Sequence, residues 1–175
     1  LVSELGIEIP VGFCSEEEYV AHLVGDGYHG FKPGHLVPYV GAMDTLKELG
    51  RRGLKLGILT EGNVATQKRK IAALKIAGLF DAIVYSAELN GVPVSKGNSE
   101  LPYLTALNRV GLAQGENAKM VGDNPLTDFH FANRLGMTTV RVMTGEYSNV
   151  MPATQEQHPD YTIKDISGIL QIIKA

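Results

Sequence analysis

The chain has one cysteine, Cys14, and little excess of charge of either sign. A single thiol excludes an internal disulfide and a thiolate zinc cage, and it agrees with a reducing cytosol. Cys14 also has no basic neighbour of the kind that activates a thiol. With 16 Lys and Arg against 19 Asp and Glu, the net charge is -3. There is no basic stripe of the sort that nucleic acid or an anionic membrane selects, so small, neutral or metal-screened partners fit better. No apolar run approaches the roughly 20 residues that a membrane helix needs. Nor does a basic stretch lead into an apolar one, as in a secretory leader. The expectation is a cytoplasmic protein with neither nucleic acid nor membrane as partner. The first residue is Leu1 and not Met, from which the chain is expected to begin part-way through a longer gene product.

What is present is enough for one sizeable core: 175 residues, 44% of them hydrophobic and 20% charged. From residue 38 onward, helix-period and strand-like segments alternate. Pro38 to Arg52 carries Val40, Met43, Leu46 and Leu49 on one helical stripe, with Gly50 and Gly53 near its end. Leu54 to Thr60 is a nearly continuous apolar run, as expected of a strand covered on both faces. Asn63 can cap a following helix that turns Ile71, Leu74 and Ile76 inward. Ala82 to Tyr85 reads as a second strand. A helix starting at Asn98 or Ser99 tolerates Pro102 in its first turn. Ala118 to Gly122 and Thr138 to Met143 supply two more strands, separated by a helix from Pro125 to Leu135. This alternation predicts an α/β fold with a doubly wound parallel sheet over residues 38–175. Residues 1–37 differ: Ser15 and Glu18 form a candidate capping box, and a loop rich in Gly, His and Pro follows.

In a parallel α/β sheet, functional loops lie at the carboxyl ends of the strands, where helix N-termini present their N–H groups. Thr60 ends the first strand in LGILTEGN, beside the amides of Glu61, Gly62 and Asn63, a setting that can hold a phosphate oxygen. Lys96, in PVSKGN, follows the second strand. Asp123 and Asp128 follow the third, in KMVGDNPLTD, with one acid in the loop and the other in the first turn of the next helix. Each has an ordinary explanation when taken singly. Thr60 and Asn63 suit a helix cap, a loop lysine is usually solvated, and acids near a helix N-terminus complement the macrodipole. The order is what separates them from coincidence: Thr, then Lys, then an Asp pair, each at the end of a successive strand.

That combination resembles the haloacid dehalogenase superfamily, specifically its magnesium-dependent phosphatases, over roughly residues 38 to 147. The resemblance implies that Thr60, with the Glu61 and Gly62 turn, binds the transferring phosphoryl group and that Lys96 neutralises its charge. It implies that Asp123 is a ligand of Mg2+ and that Asp128 supports either the lysine or the metal's water. Mg2+ takes oxygen ligands and keeps several waters, so a few carboxylates and a substrate phosphate suffice. The run TEGNVATQKRKIAALKIAGLFD is similar to a branch in which a T-[ND]-G turn is followed by Gln and Lys on the next helix. Glu61 departs from the usual Asn or Asp, and Gly97 stands where a proline often follows the lysine. The implied partner is a small phosphorylated metabolite.

The superfamily's nucleophile is the first Asp of an Asp-x-Asp pair on the central strand, upstream of all these segments. The aspartates here are 26, 44, 81, 123, 128, 160 and 165, and no two are separated by one residue. Asp26 precedes the first helix, but Tyr28 occupies the place of the second acid. The expectation is therefore a form without its N-terminal strand, inactive alone, in which residues 1–37 are the remnant of a helical cap. The strands ending at Thr60 and Gly122 should then face a gap, open to self-association or filled by residues 1–10. Two alternatives stand beside this one: a pseudophosphatase that binds phosphate without turnover, and a relative of the 2-haloacid dehalogenases, which need no metal.

Other signals are weaker. Gly25 to Gly30 fits G-x-G-x-x-G but runs into Phe-Lys-Pro instead of opening a helix. His22, His29 and His35 match no compact metal-ligand spacing. Glu16 to Glu18 reads as a solvated helix start, and His130 has no assigned role. Thr144 to Tyr147 resembles a recurring segment of the phosphatase branch, as a substrate contact or as a turn stabilised by Tyr147.

Overall fold

The computed structural model describes residues 36–91, 94–113 and 117–173. The expectations for Cys14, Asp26, the three early histidines, the Gly25 to Gly30 run and the cap lie outside the described residues.

Five residues open the described chain before Gly41, at φ 80, turns it into α1 (Ala42–Arg51). Val40, expected to begin the apolar stripe, precedes the helix and is 96% exposed. Leu49 is the stripe member that reaches the core. β1 (Gly57–Thr60) follows, then α2 (Val64–Leu74), whose first turn Asn63 caps by accepting the Thr66 N–H at 3.0 Å. Of the three residues expected to face inward there, Ile71 is buried, while Leu74 and Ile76 are half-buried. β2 (Ala82–Tyr85) pairs parallel to β1, with Thr60 opposite Tyr85.

α3 (Leu101–Arg109) starts later than expected, its opening N–H taken by the Ser99 hydroxyl, with buried Pro102 in its first turn. β3 (Lys119–Gly122) leads to two short helices in place of the single one expected: α4 (Pro125–Asp128) and α5 (His130–Arg134). Phe129, fully buried, stands at the break. β4 (Thr138–Val142) then pairs parallel to β3, and β5 (Tyr161–Ile163) pairs parallel to β4. β5 and the final helix α6 (Ile169–Ile172) have no counterpart among the expected elements.

The described strands thus form two parallel pieces, β1-β2 and β3-β4-β5. Both are covered on two faces, which is why their sequences read as apolar runs rather than as alternation. Val121 packs with Leu49, Val140, Ile169 and Leu56 on one side. Its neighbour Met120 packs with Tyr103, Ala132, Leu135 and Leu59 on the other. Leu59 of β1 and Met120 of β3 share that second cluster, so the two pieces contribute to one core although β1 and β3 do not pair with each other among the described residues.

Candidate active site

Thr60, Lys96, Asp123 and Asp128 all fall at or after the carboxyl ends of parallel strands. Thr60 is the last residue of β1, and its hydroxyl donates to Oε1 of Gln67, one turn into α2, at 3.1 Å. Asn63 does the capping, so Thr60 is not spent on the helix end. Gly62 holds φ 107, a left-handed conformation that suits glycine, and a Cβ there would lie 3.3 Å from Gln67 Nε2. The Glu61 side chain, expected only as part of the phosphate turn, reaches across and accepts the Lys96 backbone N–H at 3.0 Å. That bond ties the Thr60 loop to the Lys96 loop.

Lys96 is not a solvated loop lysine. Its Nζ donates to Asp128 Oδ1 at 2.6 Å, with side-chain exposures of 13% and 4% for the two partners. Asp128 also accepts the Asn124 N–H at 3.1 Å and the Thr127 hydroxyl at 3.2 Å. Asn124 caps α4 by accepting the Leu126 N–H. Tyr103, from α3, donates its hydroxyl to the Thr127 and Asp128 carbonyls at 2.5 and 3.2 Å. Burial pushes the Tyr103 phenol far above its ordinary value, with the Asp128 and Glu61 charges adding, so it remains a neutral donor. Gly122 makes room for the acid, because a Cβ there would stand 2.2 Å from Asp128 Oδ2. Asp128 thus lies directly against the Lys96 ammonium.

Asp123 is half-buried, one residue beyond β3. Burial, and then the charge of Asp128, push its carboxyl above the usual carboxylate range. Backbone N–H groups, including that of Tyr147, and the Lys96 charge act the other way. Gly145, at φ 109, forms a wall of the site, since a Cβ there would lie 2.7 Å from Asp123 Oδ2. The Thr144 to Tyr147 segment therefore meets Asp123 through its backbone. His130 stacks edge-on against Phe131 at 4.6 Å between ring centroids and takes no part in these contacts.

Among the described residues, no three His, Cys, Asp or Glu side chains gather as a metal-holding group. Asp123 still suits a hard divalent cation: it presents carboxylate oxygen, and the repulsion from the nearby Asp128 charge is what an added positive charge relieves. No helix among the described residues is long and apolar enough to cross a membrane. Gln67 and Tyr103 are contributors that sequence reasoning left without a role, while Glu61, expected in the phosphate turn, also bonds the Lys96 backbone. Only Gln67 carried a signal, its place seven residues after Thr60 in the TEGNVATQ run.

Residues 14–142 match the family model of haloacid dehalogenase-like hydrolases. The glyceraldehyde 3-phosphate phosphatase of Methanopyrus kandleri is 34% identical over 164 residues, which cover 94% of this chain and 68% of that protein. The protein of the same name from Methanocaldococcus jannaschii is 35% identical over 147 residues, covering 84% of this chain and 61% of its own length. The chain thus spans between three-fifths and seven-tenths of these two relatives. Among solved structures, a magnesium-bound form of the putative HAD-hydrolase YfnB from Bacillus subtilis superposes with a TM-score of 0.63 at 20% identity. The match covers 77% of this chain and 55% of that one.

Proposed function

The chain belongs to the haloacid dehalogenase-like hydrolases, and from that premise we propose that it is the phosphate- and cation-holding part of a Mg2+-dependent phosphomonoester hydrolase. The observation that carries the reading is the Lys96–Asp128 pair, 2.6 Å long and nearly withdrawn from water. It draws the loop after β2 onto the helix after β3, between Thr60 and Asp123. Burying such a pair has no stability advantage over apolar packing, so its placement at the strand ends speaks for chemistry.

Thr60 would donate its hydroxyl to a phosphoryl oxygen once that proton leaves Gln67. Lys96, held by Asp128 and oriented through its own N–H by Glu61, would offset the charge of the transferring group; positioning and charge stabilisation are what phosphoryl transfer needs most. Gly62 would let the backbone amides of its turn approach the same oxygens. Asp123 would hold Mg2+, with Asp128 behind the lysine; when bound, the ion supplies positive charge between carboxylate and phosphate. The nucleophile in this reading is the first Asp of an Asp-x-Asp strand lying between β1 and β3, which none of the chain's aspartates supplies. That acid would attack phosphorus and break its bond to the ester oxygen, releasing the alcohol and leaving an aspartyl phosphate, which water would then hydrolyse to inorganic phosphate. The two relatives named for glyceraldehyde 3-phosphate support a small phosphorylated metabolite as substrate.

The missing acid pair also favours a second reading, a phosphate-binding pseudophosphatase. Inorganic phosphate and p-nitrophenyl phosphate distinguish the cases. Phosphate binding that Thr60→Val and Lys96→Met each weaken supports the site in both readings. Turnover gained only when an Asp-x-Asp strand is supplied supports the enzyme, and binding without turnover in its presence supports the pseudophosphatase. A 2-haloacid dehalogenase has less support, because an acid at Asp123 serves a cation that such chemistry does not need.

A further inference from the structure

Arg141 lies in β4, opposite Gly122 of β3 and Thr162 of β5, and is 6% exposed. Burying a guanidinium is costly unless its donors are used, and here one nitrogen is used heavily. Nη2 donates to the carbonyls of Tyr147 at 3.0 Å, Ser148 at 3.2 Å and Val150 at 2.5 Å. Its Nε is buried and finds no partner among the described residues. The side chain is therefore committed to one loop instead of being spread over its surroundings. Three carbonyls converging on one nitrogen bend residues 147–150 into an arc that cannot move without giving up bonds to a buried charge. Charge-assisted bonds of this kind are the stronger class.

That same loop closes on Asp123. Gly145 leaves no space for a Cβ beside Asp123 Oδ2, and the Tyr147 N–H acts on the same carboxylate. We infer that Arg141 is a positioning residue: by anchoring the 147–150 carbonyls it holds Gly145 and the Tyr147 amide against Asp123, and so fixes the carboxylate that would take the cation. The inference rests on the reading of Asp123 as a Mg2+ ligand. Direct hydrogen-bond partners of a metal ligand typically change metal affinity by about 10- to 100-fold, and Arg141 stands one step behind such a partner, the Tyr147 N–H.

The test uses the 175-residue chain, with Arg141→Met, Gly145→Ala and the double variant. Two quantities are measured: amide exchange across residues 144–150 without metal, and Mg2+ affinity by calorimetry. Arg141→Met should speed exchange at Tyr147 and weaken Mg2+ binding about 10-fold. Gly145→Ala, in an exposed turn, should weaken it by a similar factor by pushing the loop off Asp123. Because both act through one loop, the double variant should fall about as far as the weaker-binding single variant, and not to the product of the two losses. Arg141→Lys keeps a buried cation and carries the test if the methionine variant does not fold, with the same faster exchange and weaker binding expected. Unchanged Tyr147 exchange, unchanged Mg2+ affinity beside a wild type that binds, or multiplicative losses would overturn the inference. A wild-type chain that takes up no Mg2+ would overturn the metal reading instead, and the exchange result would then decide alone whether Arg141 anchors the loop.

Discussion

β4 and β1 are both short parallel strands, yet β4 is buried at every position after its first, while no residue of β1 is fully buried. β3 resembles β1 in this respect, with all four residues only half-buried. β4 has a hydrogen-bonded neighbour on each side, whereas β1 and β3 each have one among the described residues. An open strand edge leaves a row of N–H and C=O groups without ladder partners. The two strands that share the Tyr103 cluster each have a single pairing neighbour among the described residues, and each ends at one half of the site. Thr60 and the turn at Gly62 suit an anion, and Asp123 suits a cation. The Lys96–Asp128 pair spans the two.

The sharpest way to break this comparison is catalytic. The 175-residue chain should hydrolyse p-nitrophenyl phosphate no faster than background, because no Asp-x-Asp carboxylate is available to attack phosphorus. Mg2+-dependent turnover by the purified chain, lost in Asp123→Ala, would contradict the division of labour outright. Next in size is the link between the halves. Lys96→Met leaves the Asp128 carboxylate buried without its cation, and denaturant unfolding should show a loss of about 3–5 kcal/mol. A loss no larger than that of an exposed pair would mean that the two halves are not coupled there. Gly122→Ala should cost about 1–3 kcal/mol, since the new Cβ must displace a packed side chain. The same melts should show it, and a neutral result would place Asp128 elsewhere.

The smallest effect has a sign that depends on pH. Because the folded chain holds Asp123 above its ordinary carboxylate value, the ionised acid opposes folding at neutral pH. That penalty is complete above the folded pKa, shrinks as pH falls through it, and is gone below the unfolded value. Metal-free Asp123→Asn should therefore melt slightly higher than wild type at pH 7, and the difference should disappear in acid. A variant that melts lower at pH 7 would mean that Asp123 is satisfied without a cation.

The elements that sequence reasoning found are those whose signal is local. Leu54 to Thr60 and Ala118 to Gly122 are apolar runs because both sheet faces are covered, and Asn63 announces a helix start through its own side chain. The Asp123 and Asp128 pair was visible because both acids follow one strand. What escaped depends on partners distant in sequence. Tyr161 to Ile163 is a strand because β4 offers an edge, not because Tyr-Thr-Ile is distinctive, and two of its three residues are exposed. Arg141 within Thr-Thr-Val-Arg-Val looks like a polar residue on a solvated face until the 147–150 carbonyls are placed around it. Glu61 departs from the usual Asn or Asp at that turn, and its use is a bond to a backbone 35 residues away. Val40 failed for a local reason, since Gly41 adopts a left-handed turn and the helix begins only after it.

Complementation tests the central claim most directly. The chain is mixed with a synthetic peptide that carries an apolar strand ending in Asp-x-Asp, with an Asn-x-Asn peptide as control. Completing the edges of β1 and β3 should raise the melting temperature with either peptide. Mg2+-dependent phosphate-ester hydrolysis should appear only with the Asp-x-Asp peptide and should vanish in Asp123→Ala. No rise in melting temperature with either peptide, together with no turnover, would contradict the account of a phosphatase site that lacks only its nucleophile strand.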